Sequence, residues 1–505
     1  MAVLLTVATM DAQMPIHLSV RPPVPADSVD VERQGRRHFW RAASTVVGSN
    51  LSLWAFDRYV QKGDFAYISL HSIKENFRHG FIWDNDRLGT NMFLHPYNGS
   101  LFYNAARANG YSYWGSGLFA IGGSAMWELF MENEYPSTND IIATPIGGMA
   151  IGEVCYRISD LLIDDRQTGW RRFGHEAGVF LVSPMRGLTR ILTGDAWKRR
   201  PTIGREFGVP DIGMEFSGGA RILTFDNDGA QDTRPGGAIE LNFEYGNRFE
   251  VKKAHPYDYF NLRAALNLVN RQPFLAQLNI KGRLLATELH DTKRTHVSLG
   301  LYQHFDYYDS DTTSSLVAKC PYKLGVPASI GGGLLYRHVM NSFCTIDAYT
   351  HANAVLLGAV LSDHYQLDER NYNLASGYSV KSGAHFVFGR DRLSVSLSNE
   401  IYHLFTWKGY PTGTDLMTAD RRTLNAQGDR SRALFGVTEL QIDVQIWKKL
   451  YFSIGVSHYF RSTVYRDFPD VSSWSVAGRV MGTWELWFFL SMVKKIEGCF
   501  GAIWV

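Results

Sequence analysis

Across residues 206–488 apolar and polar side chains alternate one by one. In AIELNFEY, Ile239, Leu241, Phe243 and Tyr245 share one face, and Glu240, Asn242 and Glu244 share the other. This two-residue period is that of a pleated strand with one dry and one wet side. The same pattern sets Ala276, Leu278 and Ile280 against Gln277, Asn279 and Lys281, and Leu440, Ile442, Val444 and Ile446 against Gln441, Asp443 and Gln445. About twelve such segments begin near residues 208, 235, 257, 274, 294, 328, 342, 373, 392, 432, 450 and 473, and most exceed the usual strand of about 5 to 6 residues. Short turns such as GRDR (389–392) and KK (448–449) contrast with long polar connections that start at Asp309 and Lys408.

Long, numerous, alternating strands with unequal connections predict a closed antiparallel transmembrane β-barrel of about twelve strands. A soluble sandwich or small soluble barrel would fill its inner face with apolar groups. Here Arg263, Lys281, Asp443, Arg479 and Glu485 occupy the wet face. They are expected to line a polar lumen while the apolar face meets lipid.

Residues 36–195 have a different texture. HFWRAASTVVGSNLSLWAFDRYV, SLHSIKENF, SLFYNAARANG and SYWGSGLFAIGGSAMWELFMENE carry helical spacing, and GWRRFGHEAGVFLVSPMRGLTRILTG reads as one more helix broken at Pro184. The glycines are too frequent for isolated helices, each costing up to about 1 kcal/mol against Ala. Gly148 with Gly152, and the run from Gly115 to Gly123, therefore predict faces where backbones meet closely. Ser137-Thr-Asn-Asp140 resembles a capping box, and Glu153 with Arg157 has the spacing of an intrahelical ion pair. Beyond the first residues there is no uncharged apolar run of the length of about 18 residues that a membrane-spanning helix needs. Because a helix is about 10 to 12 Å across, a barrel of this width holds one at most. The helices are thus expected as a periplasmic cap or partial plug at the barrel mouth.

Composition alters this picture little. The 505 residues carry a formal net charge of +2, which excludes the strongly basic surface of a nucleic-acid-binding protein. Aromatic content of 13% suits a barrel with aromatic girdles. Cys155, Cys320, Cys344 and Cys499 show no metal-binding spacing. Residues 1–13 read as a signal peptide with a truncated start, 14–35 as a linker, and 489–505 as a tail.

FLHPYNGSLFYNAARANG from Phe93, together with WE, PSTND, GG and GE between Trp127 and Glu153, resembles an uncharacterised family of outer-membrane β-barrel proteins of Gram-negative bacteria, a domain of unknown function. The motif-bearing part spans roughly residues 80–195. The resemblance implies location and architecture, and no activity.

The candidate chemistry lies in the helical part. His95, Glu128, Glu132, Asp140, Glu153 and His175 could converge, and Glu128 with Glu132 at i,i+4 suits an acid and base pair. No HExxH or GxSxG accompanies them. The competing expectation is structural, with carboxylates paired to Arg107, Arg157, Arg186 and Arg190, since a charge withdrawn from water persists only when paired. No cofactor and no metal is expected. The leading reading is a non-enzymatic outer-membrane barrel that passes or binds a small or lipidic envelope substrate, in contact with outer-membrane lipid. The alternatives are an enzyme modifying envelope lipid or glycan, and a docking platform for a periplasmic partner protein.

Overall fold

The computed structural model describes residues 36–486 except 228–229, 252–254, 269–271, 311–319, 368–369, 390 and 421–423. The expected signal peptide (1–13), linker (14–35) and tail (489–505) lie outside the described residues.

Twelve strands form one closed antiparallel barrel: β1 (Ile212–Asn227), β2 (Ala230–Tyr245), β3 (Phe260–Leu268), β4 (Leu275–Asp291), β5 (Thr295–Asp309), β6 (Lys323–Val339), β7 (Cys344–Leu361), β8 (Tyr372–Phe388), β9 (Leu393–Thr406), β10 (Ser431–Trp447), β11 (Leu450–Tyr465) and β12 (Val471–Glu485). β1 closes the barrel against β12, with Ala220 opposite Val480. Contacts between non-adjacent strands identify the lumen face. Arg263 of β3 reaches Glu439 of β10 at 2.8 Å, and Lys381 of β8 reaches Asp306 of β5. The polar residue of each alternating pair therefore points inward. One end of the barrel carries the start of β1, the end of β12 and mostly short turns. The opposite end carries the long connections after β5, β7 and β9.

Seven α-helices precede the strands among the described residues: α1 (Phe39–Phe56), α2 (Leu70–His79), α3 (His95–Arg107), α4 (Tyr113–Phe130), α5 (Asp140–Leu161), α6 (Gly169–Val182) and α7 (Pro184–Leu192). The glycine faces explain how they meet. A Cβ on Gly148 of α5 would lie 2.5 Å from the backbone of Gly99 in α3, and one on Gly123 of α4 would lie 2.5 Å from the Phe102 ring. α3, α4 and α5 consequently pack backbone against backbone or ring, a contact no larger residue permits.

The helices do not form the expected cap or plug. They lie against the outer wall of the barrel. α5 contacts β4, β5 and β6, and the residues it covers have the outward register. Gln303, Phe305 and Tyr307 alternate with the inward His304, Asp306 and Tyr308. Gln303 Nε2 donates to the Ile146 carbonyl and Tyr113 donates to Gln303. Gly325 receives Met92, and Pro327 sits against the Gly147 position. The contrast around the barrel is decisive: outward Phe305 and Ile280 are 0% and 2% exposed beneath the helices, whereas outward Ile454 and Val480 on the far side are 47% and 49% exposed. The physical reason is volume. The lumen leaves an internal cavity of only ≈ 340 Å³, too small for a helix, so the helices bury their apolar faces outside.

The bundle runs along the wall from one end to the other. α5 starts beside Asp84, whose carbonyl accepts from Arg370 between β7 and β8, and finishes where Arg157 donates to the Pro256 carbonyl between β2 and β3. Its 22 residues span about 33 Å. α5 is long and apolar enough by length and composition to cross a membrane, 67% of that stretch being buried, and Glu153, Arg157 and Asp160 on it are paired with arginines or acids of the bundle.

Candidate functional site

Three polar centres result. The first is the cluster at the long-loop end of the bundle. The HPYNG step opens α3, Pro96 standing where a helix tolerates a missing N–H, and this fixes His95 beside the start of α5. His95 Nε2 lies 3.7 Å from Asp140 and 3.8 Å from Asp86. Asn139 donates to both Asp84 and Asp140 at 3.0 Å, and Asn91 bridges Asp84 at 2.6 Å to the Tyr372 hydroxyl at 2.9 Å. Burial pushes the Asp84 carboxyl up, but the Asp140 side chain, His95 and the two asparagines outweigh it and hold Asp84 below the usual carboxylate range.

The capping reading of Ser137 is half present: its hydroxyl accepts from the Asp140 N–H at 3.1 Å. The reciprocal partner is Glu128, whose carboxylate accepts from the Ser137 N–H at 2.7 Å. Asp140 is thereby released to face His95. Glu132 adjoins this cluster, with Asn76 donating to the carbonyls of Glu128 and Glu132.

Of the six sequence candidates, His95, Glu128, Glu132 and Asp140 come together. Glu153 and His175 do not. Glu153 lies further along α5 in a fully buried second centre, where it accepts from Tyr103 at 2.7 Å, Arg107 at 2.8 and 3.1 Å, and Arg157 at 2.9 Å. His175 sits on α6 with its Nδ1 2.7 Å from the Leu162 carbonyl. Around it Asp160 pairs with Arg186, and Asp165 and Glu176 pair with Arg190. Sequence reasoning missed Asp84, Asp86, Asn91 and Asn139. The WDNDR run just before the HPYNG motif was the available signal.

The third centre is the lumen. Arg263, Lys281, Asp443 and Glu485 line an internal cavity of ≈ 340 Å³ together with Glu215, Glu439 and Tyr349. Arg479 pairs with Glu240 at 2.7 Å and lies 3.6 Å from Glu439. Toward the long-loop end the lumen is packed by Phe225, Tyr308, Leu324, Tyr402, Phe435 and Tyr459. Tyr322 stacks on Tyr459 with ring centroids 4.0 Å apart, crossing from the approach to β6 to the opposite strand β11. Chemically, this is a charged vestibule with a cluster of aromatic and aliphatic side chains beyond it.

The comparisons bear on the helical part. Residues 80–185 match the family model of a domain of unknown function (DUF3943). The DUF3943 segment thus contains α3 to α6 and both helical polar centres, and the barrel lies beyond it. No curated protein matches the chain. Among solved structures, the NanC porin is similar at 8% identity with a TM-score of 0.25, covering 54% of this chain and 98% of that one. The Pseudomonas putida toluene transporter TodX is similar at 8% and 0.23, covering 55% and 90%. The outer membrane channel DcaP of Acinetobacter baumannii follows at 8% and 0.22, covering 54% and 96%. Scores this low add nothing to what the strand pairing already shows. A closed antiparallel barrel with an exposed apolar outer band is the architecture of an outer-membrane β-barrel protein.

Proposed function

We propose that this protein binds a lipidic envelope molecule at the helical bundle, within the bilayer, and is not a diffusion pore. One observation carries the reading: the bundle covers outward strand residues while α1, α4 and α6 themselves expose large apolar side chains. Leu118 of α4, Leu51 of α1 and Leu181 of α6 are exposed, as are Leu440, Ile442 and Ile454 on the bare side of the barrel. A periplasmic domain would present polar groups there. Exposed Trp40, Trp114 and Trp170 on the helices and Trp197 in the turn after α7 lie toward the same end as Trp447 and Trp484 of the barrel, as interfacial anchors do. Short turns mark that end as periplasmic and long loops mark the other as external.

The buried charges fit this reading. In hydrocarbon an ionisable group persists only when paired, and Glu153, Arg107 and Arg157 answer one another. The His95 cluster then clamps the helices to the external connections, and it does not line the lumen cavity. The test is paired. Purified protein in planar bilayers should be silent, and a lipid carrying a photoreactive acyl chain should label α1 and α4. Steady conductance steps, or labelling confined to the bare side of the barrel, would sink the proposal.

A further inference from the structure

The geometry points to a binding site for a phosphate-bearing lipid headgroup at the short-turn end, in the cavity enclosed by the start of α1, the α3–α4 turn, α7 and the β2–β3 connection; this deepens the proposed function and rests on it. The cavity measures ≈ 710 Å³, within the range of a ligand site.

Eight arginines line it beside the carboxylates of Asp195, Glu206 and Asp258, and the arginines include an inner and an outer set. The inner set is fixed. Arg186 pairs with Asp160 at 2.6 Å and lies over the Tyr156 ring at 4.1 Å, while Arg190 is held by Asp165 and Glu176. Arg190 is almost wholly buried, yet its Nη1 makes no hydrogen bond. A buried donor left open in this way costs free energy unless something accepts from it. The outer set, Arg36, Arg37 and Arg41, stands exposed at the mouth and forms no ion pair with any described residue. α4 adds its N-terminus: Ser112 and Tyr113 line the same space, and the first N–H groups of a helix favour an anion.

The anionic phosphodiester of a headgroup suits forked donors, because several guanidiniums can share its oxygens. The surroundings favour a lipid source. Phe39 and Trp40 follow directly on Arg36 and Arg37 and are 52% and 82% exposed, so an acyl chain leaving the site would run along the apolar faces of α1 and α4. The site lies at the level where the periplasmic leaflet carries its headgroups.

The test uses the whole protein in nanodiscs of phosphatidylcholine doped with phosphatidylglycerol, with retained lipid read by native mass spectrometry. The unmodified protein should retain phosphatidylglycerol preferentially. The triple variant Arg36→Gln, Arg37→Gln, Arg41→Gln changes only exposed side chains, so folding should be unaffected. It should lose roughly a hundredfold in that preference, the effect of removing three charges near a headgroup. Millimolar inorganic phosphate should leave the lipid in place. Displacement by phosphate alone, or equal retention by protein and variant, overturns the assignment. Should labelling place α1 and α4 in the bilayer while the preference is absent, this site fails and the proposed function stands. Should the helices prove to be outside the bilayer, the proposed function fails first.

Discussion

Replacing Glu153 with Gln removes one charge from the most enclosed polar centre of the bundle. Glu153 is 0% exposed, and its two oxygens accept four hydrogen bonds, three of them from Arg107 and Arg157. The amide keeps the volume but can answer only part of these donors, and it leaves two guanidiniums without their shared counter-charge. Breaking a buried pair from one side costs about 3 to 5 kcal/mol. The loss should fall toward the lower figure because Arg157 keeps Asp258 at 3.3 Å and the Pro256 carbonyl. Arg107 pairs with no second carboxylate among the described residues. The assay is urea unfolding in lipid, following helical circular dichroism separately from the heat-dependent gel shift of the barrel, since two units need not unfold together. The helical transition should move and the barrel transition should not. A loss below about 1 kcal/mol, the range of solvent-exposed pairs, would mean that water reaches Glu153 and that α3 and α5 do not meet as described.

Further outcomes follow from the same contacts. Gly148→Leu inserts a side chain where even a Cβ would lie 2.5 Å from Gly99, so α3 and α5 should separate, and a cysteine pair engineered across them should stop cross-linking. Tyr322→Ala combined with Tyr459→Ala removes the stacked rings that cross the lumen, and single-channel recording should then show openings absent from the unmodified protein. Burial pushes the Asp164 carboxyl up, but hydrogen bonds from Arg166 and Gln167 bring it down to about 2. A depressed native pKa adds stability that is full above the unfolded value of about 3.9 and is lost as pH falls through about 2. Asp164→Asn should therefore be less stable at neutral pH, with the difference vanishing near pH 2 in acid titrations of unfolding.

The barrel was legible because a pleat repeats every two residues, so strand starts near 212, 275, 295, 372, 393 and 450 stand within a few residues of the alternation. The glycine contacts were legible as well, since little other than a close approach explains Gly148 and Gly152 inside one helix. What periodicity cannot convey is what covers an apolar face. Phe305 and Ile454 have the same register signature, yet helices cover one and leave the other bare. Gln303 was the available hint, a polar residue among outward apolar ones, paired with Tyr113 and Ile146. Within the cluster, Glu128 and Asp140 were readable from helical spacing, but Asp84 and Asp86 precede α3 in a segment without period. Their approach to His95 depends on tertiary contacts with Asn139 and Arg370.

The proposed function places the bundle in the bilayer, against the outer wall of the barrel. A nitroxide on a cysteine introduced at Leu118, with Leu440 of β10 as the lipid-facing reference and Tyr349 as the lumen reference, tests it in a background lacking the natural cysteines. Power saturation with oxygen and with a water-soluble nickel chelate should give Leu118 the oxygen-rich, nickel-poor profile of Leu440. A nickel-accessible Leu118 would contradict the account and return the helices to the aqueous periplasm.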